Sequence, residues 1–85
     1  MRKPFEISPE AAALLERINQ ARRMNGITLE KIANECGISQ STVTNQLNGK
    51  RTLDIRVLMT ISRLCPNVSA EWLIRGTGDI LTNNN

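Results

Sequence analysis

Five times along this 85-residue chain, a small polar residue able to cap a helix stands before apolar residues at helical spacing. Each time the pattern is soon cut short by glycine or proline. Ser8-Pro9-Glu10 combines an N-cap, a proline at the first helical position and an acid beside the positive helix end. Leu14, Leu15, Ile18 and Ala21 follow at helical intervals, and Asn25-Gly26 stops them, which predicts a first helix over Pro9–Met24. Thr28 opens a second, with Leu29, Ile32, Ala33 and Cys36 on one face and Gly37 at its end. Ser39 opens a third over about Gln40–Leu47, stopped by Asn48-Gly49. Asp54 caps a fourth, whose Val57, Leu58, Ile61, Leu64 and Cys65 form an apolar stripe up to Pro66. Ser69 opens a short fifth helix through Trp72 and Ile74, closed by Gly76.

Segments this short, joined this tightly, cannot bury their apolar faces alone. Alternating stretches of strand type are missing, and Phe5 and Trp72 are the only aromatics. The expectation is an all-α bundle of five short helices in a single domain, with a disordered tail over 82–85. A domain of this size buries only about 60–65% of the surface its unfolded chain exposes, so one modest core is expected.

The missing residues narrow the chemistry. With no histidine in the chain, His-centred acid–base catalysis, Ser-His or Cys-His nucleophile pairs and His-containing zinc sites are excluded. Cys36 and Cys65 are too few for a four-thiolate site and sit in apolar helical contexts, as reduced, buried cysteines do. No apolar run approaches the roughly 20 residues that span a membrane, and residues 1–6 lack the apolar core of a signal peptide. The chain reads as a cytoplasmic protein with no cofactor, no metal and no membrane, and as a binder rather than an enzyme.

The connection between the second and third helices carries the functional signal. Only a few residues around Gly37 join them, so the chain must turn sharply where a glycine can adopt φ > 0. Ala33 is small where the helices cross, and Val43 points back into that crossing. On the third helix, at about 100° per residue, Val43 and Leu47 lie on one side. Ser41, Thr44, Asn45 and Asn48 lie on the other, with Gln40 at the flank near the N-terminal end. This outer face carries no charge, although solvated helix faces favour Glu and Lys for propensity and solubility. Hydroxyls and amides suit the base edges of a DNA major groove instead.

The net charge of +3 has a matching address. Residues 39–63 hold Lys50, Arg51, Arg56 and Arg63 against Asp54 alone, a balance equal to that of the whole chain. Lys50 and Arg51 stand just beyond the polar helix, where they can reach phosphates. Thr28 and the free N–H groups opening the second helix form another anion-facing element.

The run from Thr28 to Arg51 resembles the helix-turn-helix of the phage-repressor (Cro/Xre-like) family. Ile38-Ser39-Gln40-Ser41-Thr42-Val43 and the Asn48-Gly49-Lys50 turn are especially typical. Val68-Ser69-Ala70-Glu71-Trp72-Leu73 followed by Gly76-Thr77-Gly78 resembles an extension found in short bacterial members, so the likeness covers about residues 10–81. The resemblance implies a five-helix, lambda-repressor-like domain whose third helix enters the major groove of double-stranded DNA. By position, Ser39, Gln40, Ser41, Thr44 and Asn45 would face bases, and Thr28, Lys50 and Arg51 would contact phosphates. It also implies a transcriptional regulator, in the first place a repressor, that binds a palindromic operator as a homodimer. The alternative from another class is a protein-interaction module, such as an antitoxin component with a partner protein.

Two points stay open in the sequence. The family places an apolar residue three positions after Val43, but here that position is Gln46, with Leu47 following. This predicts a last turn that is rotated or ends early, which bears on Asn45 more than on Gln40 and Ser41. Trp72 and Leu73 read either as a dimer surface or as cover for a small core.

Overall fold

The computed structural model describes residues 7–82. Five α-helices follow one another: α1 (Pro9–Met24), α2 (Leu29–Cys36), α3 (Gln40–Leu47), α4 (Ile55–Leu64) and α5 (Ala70–Arg75). The punctuation of the sequence is the mechanism that bounds them. Ser8, Thr28, Ser39, Asp54 and Ser69 each take extended backbone, and each side chain accepts a hydrogen bond from an N–H in the first turn of the helix it opens. These bonds satisfy donors that a helix start otherwise leaves without partners.

Leu15, Ile18 and Ala21 from α1 meet Ile32 and Ala33 from α2, Val43 and Leu47 from α3, Val57 and Ile61 from α4 and Leu73 from α5 in one core. Cys65 and Val68 close it below α4. α1 runs behind the bundle and packs on α3, α4 and α5, while α2 packs on α3 and α4. Arg17 of α1 fastens α5: its Nε and Nη2 donate to the carbonyls of Leu73 (2.9 Å) and Ile74 (3.0 Å).

Leu73 is 3% exposed and belongs to the core, and Trp72 is half-buried against that core. Thr82, the first residue of the expected tail, is bonded within the fold. Thr82 donates its N–H to the Asn67 carbonyl (2.8 Å), and Ser69 N–H donates to the Ile80 carbonyl (2.7 Å), around an isolated antiparallel bridge between Val68 and Leu81. Residues 83–85, and the N-terminal residues 1–6, lie outside the described residues. No helix among the described residues is long and apolar enough to cross a membrane.

Candidate nucleic-acid interface

The corner between α2 and α3 is built from backbone geometry and small side chains. Gly37 has φ +72°, and the Ala33 carbonyl accepts from both Gly37 N–H (2.9 Å) and Ile38 N–H (3.1 Å). That closure satisfies a carbonyl at the end of α2 while turning the chain into the cap of α3. Ala33 and Val43 are both buried, as a close crossing of the two helices requires.

The buried arc of α3 comprises Val43, Gln46 and Leu47. Helix α3 is therefore regular through Leu47, and the expectation of a rotated or shortened last turn is overturned. The cause is the chemistry of the Gln46 side chain. It is only 4% exposed, and its Oε1 accepts the backbone N–H of Asp54 at 2.8 Å. A buried amide is tolerated because it has a partner. Asn45 accordingly keeps its place on the exposed face.

The outer residues of α3 divide by what their side chains already do. Gln40 and Asn45 are exposed, and neither amide makes a side-chain hydrogen bond among the described residues. The Ser39 hydroxyl is engaged as the cap, accepting from Thr42 N–H (3.1 Å) and lying 2.8 Å from Thr42 Oγ1 and 3.2 Å from Ser41 Oγ. Thr44 is half-buried and returns its hydroxyl to the Gln40 carbonyl (2.9 Å). Ser41 is exposed at the centre of the face. Thr28 is also exposed, with its oxygen accepting from Lys31 N–H (3.0 Å) at the start of α2.

Ion pairing sorts the positive charges more sharply than their order in the chain. Arg56 pairs with Asp54 at 2.6 Å and Arg63 with Glu35 at 3.0 Å, and Lys31 also approaches Glu35 at 3.4 Å. Hydrogen bonding from Arg56 holds the Asp54 carboxyl below the usual carboxylate range, and hydrogen bonding from Arg63, then Lys31, does the same for Glu35. Lys50 and Arg51 are exposed and make no ion pair among the described residues. Among the described residues, the cations beside α3 that are left without an acidic partner are these two, directly after the Asn48-Gly49 turn. Lys50 N–H donates to the Asn45 carbonyl (2.8 Å) and Gly49 N–H to the Gln46 carbonyl (3.2 Å), which fixes where the basic pair leaves the helix.

Sequence reasoning missed two contributors to this arrangement. Asn19 of α1 donates to the Leu47 carbonyl at 3.2 Å and ties the end of α3 to the helix behind it. Gln46 was detectable from its angle, since at about 100° per residue it falls about 60° from Val43, on the side away from Leu47. Its partner was not, because an N–H eight residues on becomes available only when the loop folds back.

A family model for a helix-turn-helix domain matches residues 15–79. Three curated relatives are each 34% identical over 67 residues: the HTH-type transcriptional regulators for conjugative element R391 of Providencia rettgeri, for SXT of Vibrio cholerae and for pMERPH of Shewanella putrefaciens. The match takes in 79% of this chain but spans only 30% of the length of those relatives. No solved structure gives a significant match. With a corner closed at Gly37, an uncharged polar face on α3 and a family model that covers most of its length, the chain belongs to the Cro/Xre-like helix-turn-helix family.

Proposed function

We propose that this protein binds double-stranded DNA in a sequence-specific manner and regulates transcription, acting as a repressor that occupies a palindromic operator as a homodimer. The observation that carries the proposal is an exposed uncharged helix face followed directly by two exposed cations that have no acidic partner among the described residues. Gln40, Ser41 and Asn45 read base edges, for which amides and hydroxyls have the right donors and acceptors. Thr44 and Ser39 border that face, with hydroxyls partly committed to the backbone. Lys50, Arg51 and the start of α2 at Thr28 hold phosphates and set the protein's register on the duplex.

Binding, rather than catalysis, is the activity. Repression follows from occupancy, because a protein on a promoter blocks polymerase without any reacting group. The names of the relatives, transcriptional regulators for conjugative elements, support transcription as the process served. A dimer reading two half-sites about 34 Å apart supplies the contacts that one small protomer lacks. The protein acts in the cytoplasm, where its target DNA is.

Selection of bound duplexes from a random pool tests the DNA-binding reading directly, since it returns a site, its symmetry and its sequence. Gln40→Ala should lower discrimination at one base position by about 1–3 kcal/mol while sparing non-specific affinity. Lys50→Ala should weaken all sequences alike and reduce the salt slope by about one. If both variants bind the selected duplex as the wild type does, the assignment of α3 is wrong.

A further inference from the structure

The loop carrying Lys50 and Arg51 is attached at both ends to neighbouring residues of α3. At its start, Lys50 N–H donates to the Asn45 carbonyl (2.8 Å). At its end, Asp54 N–H donates to Gln46 Oε1 (2.8 Å). Asp54 is itself the N-cap of α4: its Oδ1 accepts Arg56 N–H at 2.8 Å, and its carboxylate pairs with the Arg56 guanidinium. One buried side chain thus connects the last turn of α3 to the first turn of α4 across the basic loop. Between the two attachments Lys50, Arg51 and Thr52 are exposed.

We infer that Gln46 is a positioning residue for DNA binding, holding the Lys50–Arg51 loop in fixed register with the outer face of α3. The inference rests on the DNA-binding reading given above. The core itself has no need of an amide at position 46, because the same inward arc accepts Val43 and Leu47 as plain hydrocarbons. What the amide adds is an acceptor aimed at the loop. A loop fixed at both ends has little conformational freedom left to lose when its cations meet phosphates. The ordering cost that weakens association by flexible segments is largely met in the free protein. Without the acceptor, Asp54 N–H must find water, and the loop end must move to let it do so.

The test is a double-mutant cycle of Gln46→Leu with Lys50→Ala, read by affinity for mixed-sequence duplex DNA across a salt series, with thermal unfolding measured in parallel. In the wild-type background Lys50→Ala should lower the salt slope by about one. Gln46→Leu alone should weaken binding about fivefold, within the coupling expected of neighbouring residues, and should lower the salt slope too. In the Gln46→Leu background, removing Lys50 should then have little further effect.

A merely structural role would move the melting temperature and leave the slope of the folded protein, and the effect of Lys50→Ala, as they are. That result overturns the inference. If Gln46→Leu does not fold, Gln46→Met replaces it with a side chain of similar length and no strong acceptor. Amide hydrogen exchange on the wild type gives a check without any variant: Asp54 N–H should be protected as well as the α3 amides, and fast exchange there overturns the inference. A wild-type protein that binds no duplex even at low salt overturns the DNA-binding reading itself. A wild type that binds, with a Gln46→Leu variant indistinguishable from it, overturns only the role of Gln46.

Discussion

Replacing Gly37 by alanine should cost little, although this glycine forms the corner of the helix-turn-helix. Its φ of +72° puts an L-residue in the left-handed region, at about 1–2 kcal/mol. The stiffer unfolded chain returns about 0.4–1 kcal/mol of that. A Cβ built there meets nothing within 4 Å, so no packing term is added, and the net cost is about 1 kcal/mol. Gly76 has nearly the same φ, +75°, but very different surroundings. A Cβ there would lie 2.9 Å from Nη1 of Arg17, the side chain whose Nε and Nη2 hold the Leu73 and Ile74 carbonyls. Moving the guanidinium aside sacrifices those two bonds, adding about 1–2 kcal/mol after allowance for their partial exposure to solvent. Thermal unfolding followed by circular dichroism should show a loss of about 4–8 °C for Gly37→Ala, and roughly twice that or more for Gly76→Ala. In an Arg17→Ala background the cost of Gly76→Ala should shrink to that of Gly37→Ala. Equal losses at the two glycines in the wild-type background would refute the reasoning. So would a loss near 20 °C at Gly37, well beyond the backbone term alone.

Other parts of the fold give equally direct expectations. Val43→Ala removes two methylene equivalents from a fully buried position between α2 and α3 and should cost about 2–3 kcal/mol in urea unfolding; a change under ~0.5 kcal/mol would mean the crossing is looser than described. Asp54 and Glu35 are held below their ordinary range by their cationic partners, so their stabilisation is complete above the unfolded carboxylate values of about 4 and is lost as pH falls through the lower folded values. Urea midpoints should therefore drop on acidification below about pH 4, and Asp54→Asn with Glu35→Gln should flatten that drop; an unchanged acid profile in the double variant would assign the acid loss to other groups. An alkylating reagent should label half-buried Cys36 before Cys65, whose burial raises its thiol pKa and whose Sγ faces the Ala21 carbonyl; mass spectrometry showing the reverse order would place Cys65 at the surface.

The helix boundaries were legible because their causes are local. A cap acts through a hydroxyl or carboxylate on N–H groups two or three residues away, and Ser8, Thr28, Ser39, Asp54 and Ser69 each do this in the folded chain. The inward positions of α1 and α2 and the polar face of α3 follow from the same short-range periodicity. The inward place of Gln46 beside Val43 is open to the same periodicity, although only Val43 and Leu47 were assigned to that side. Family expectation made it a disturbance, when its amide had a bond to make.

Partners distant in sequence belong to tertiary structure. Four cations between residues 39 and 63 look equivalent on paper, yet Arg63 meets Glu35 from 28 positions away, while Lys50 and Arg51 meet no acid among the described residues. Arg17 reaches carbonyls 56 and 57 positions along the chain, and Thr82 is held by Asn67. A sequence displays which groups can bond and where a helix must start or stop, since those depend on neighbours in the chain. Which long side chain meets which backbone group, and so which charges stay available to a partner, depends on distances that exist only once the five helices have packed.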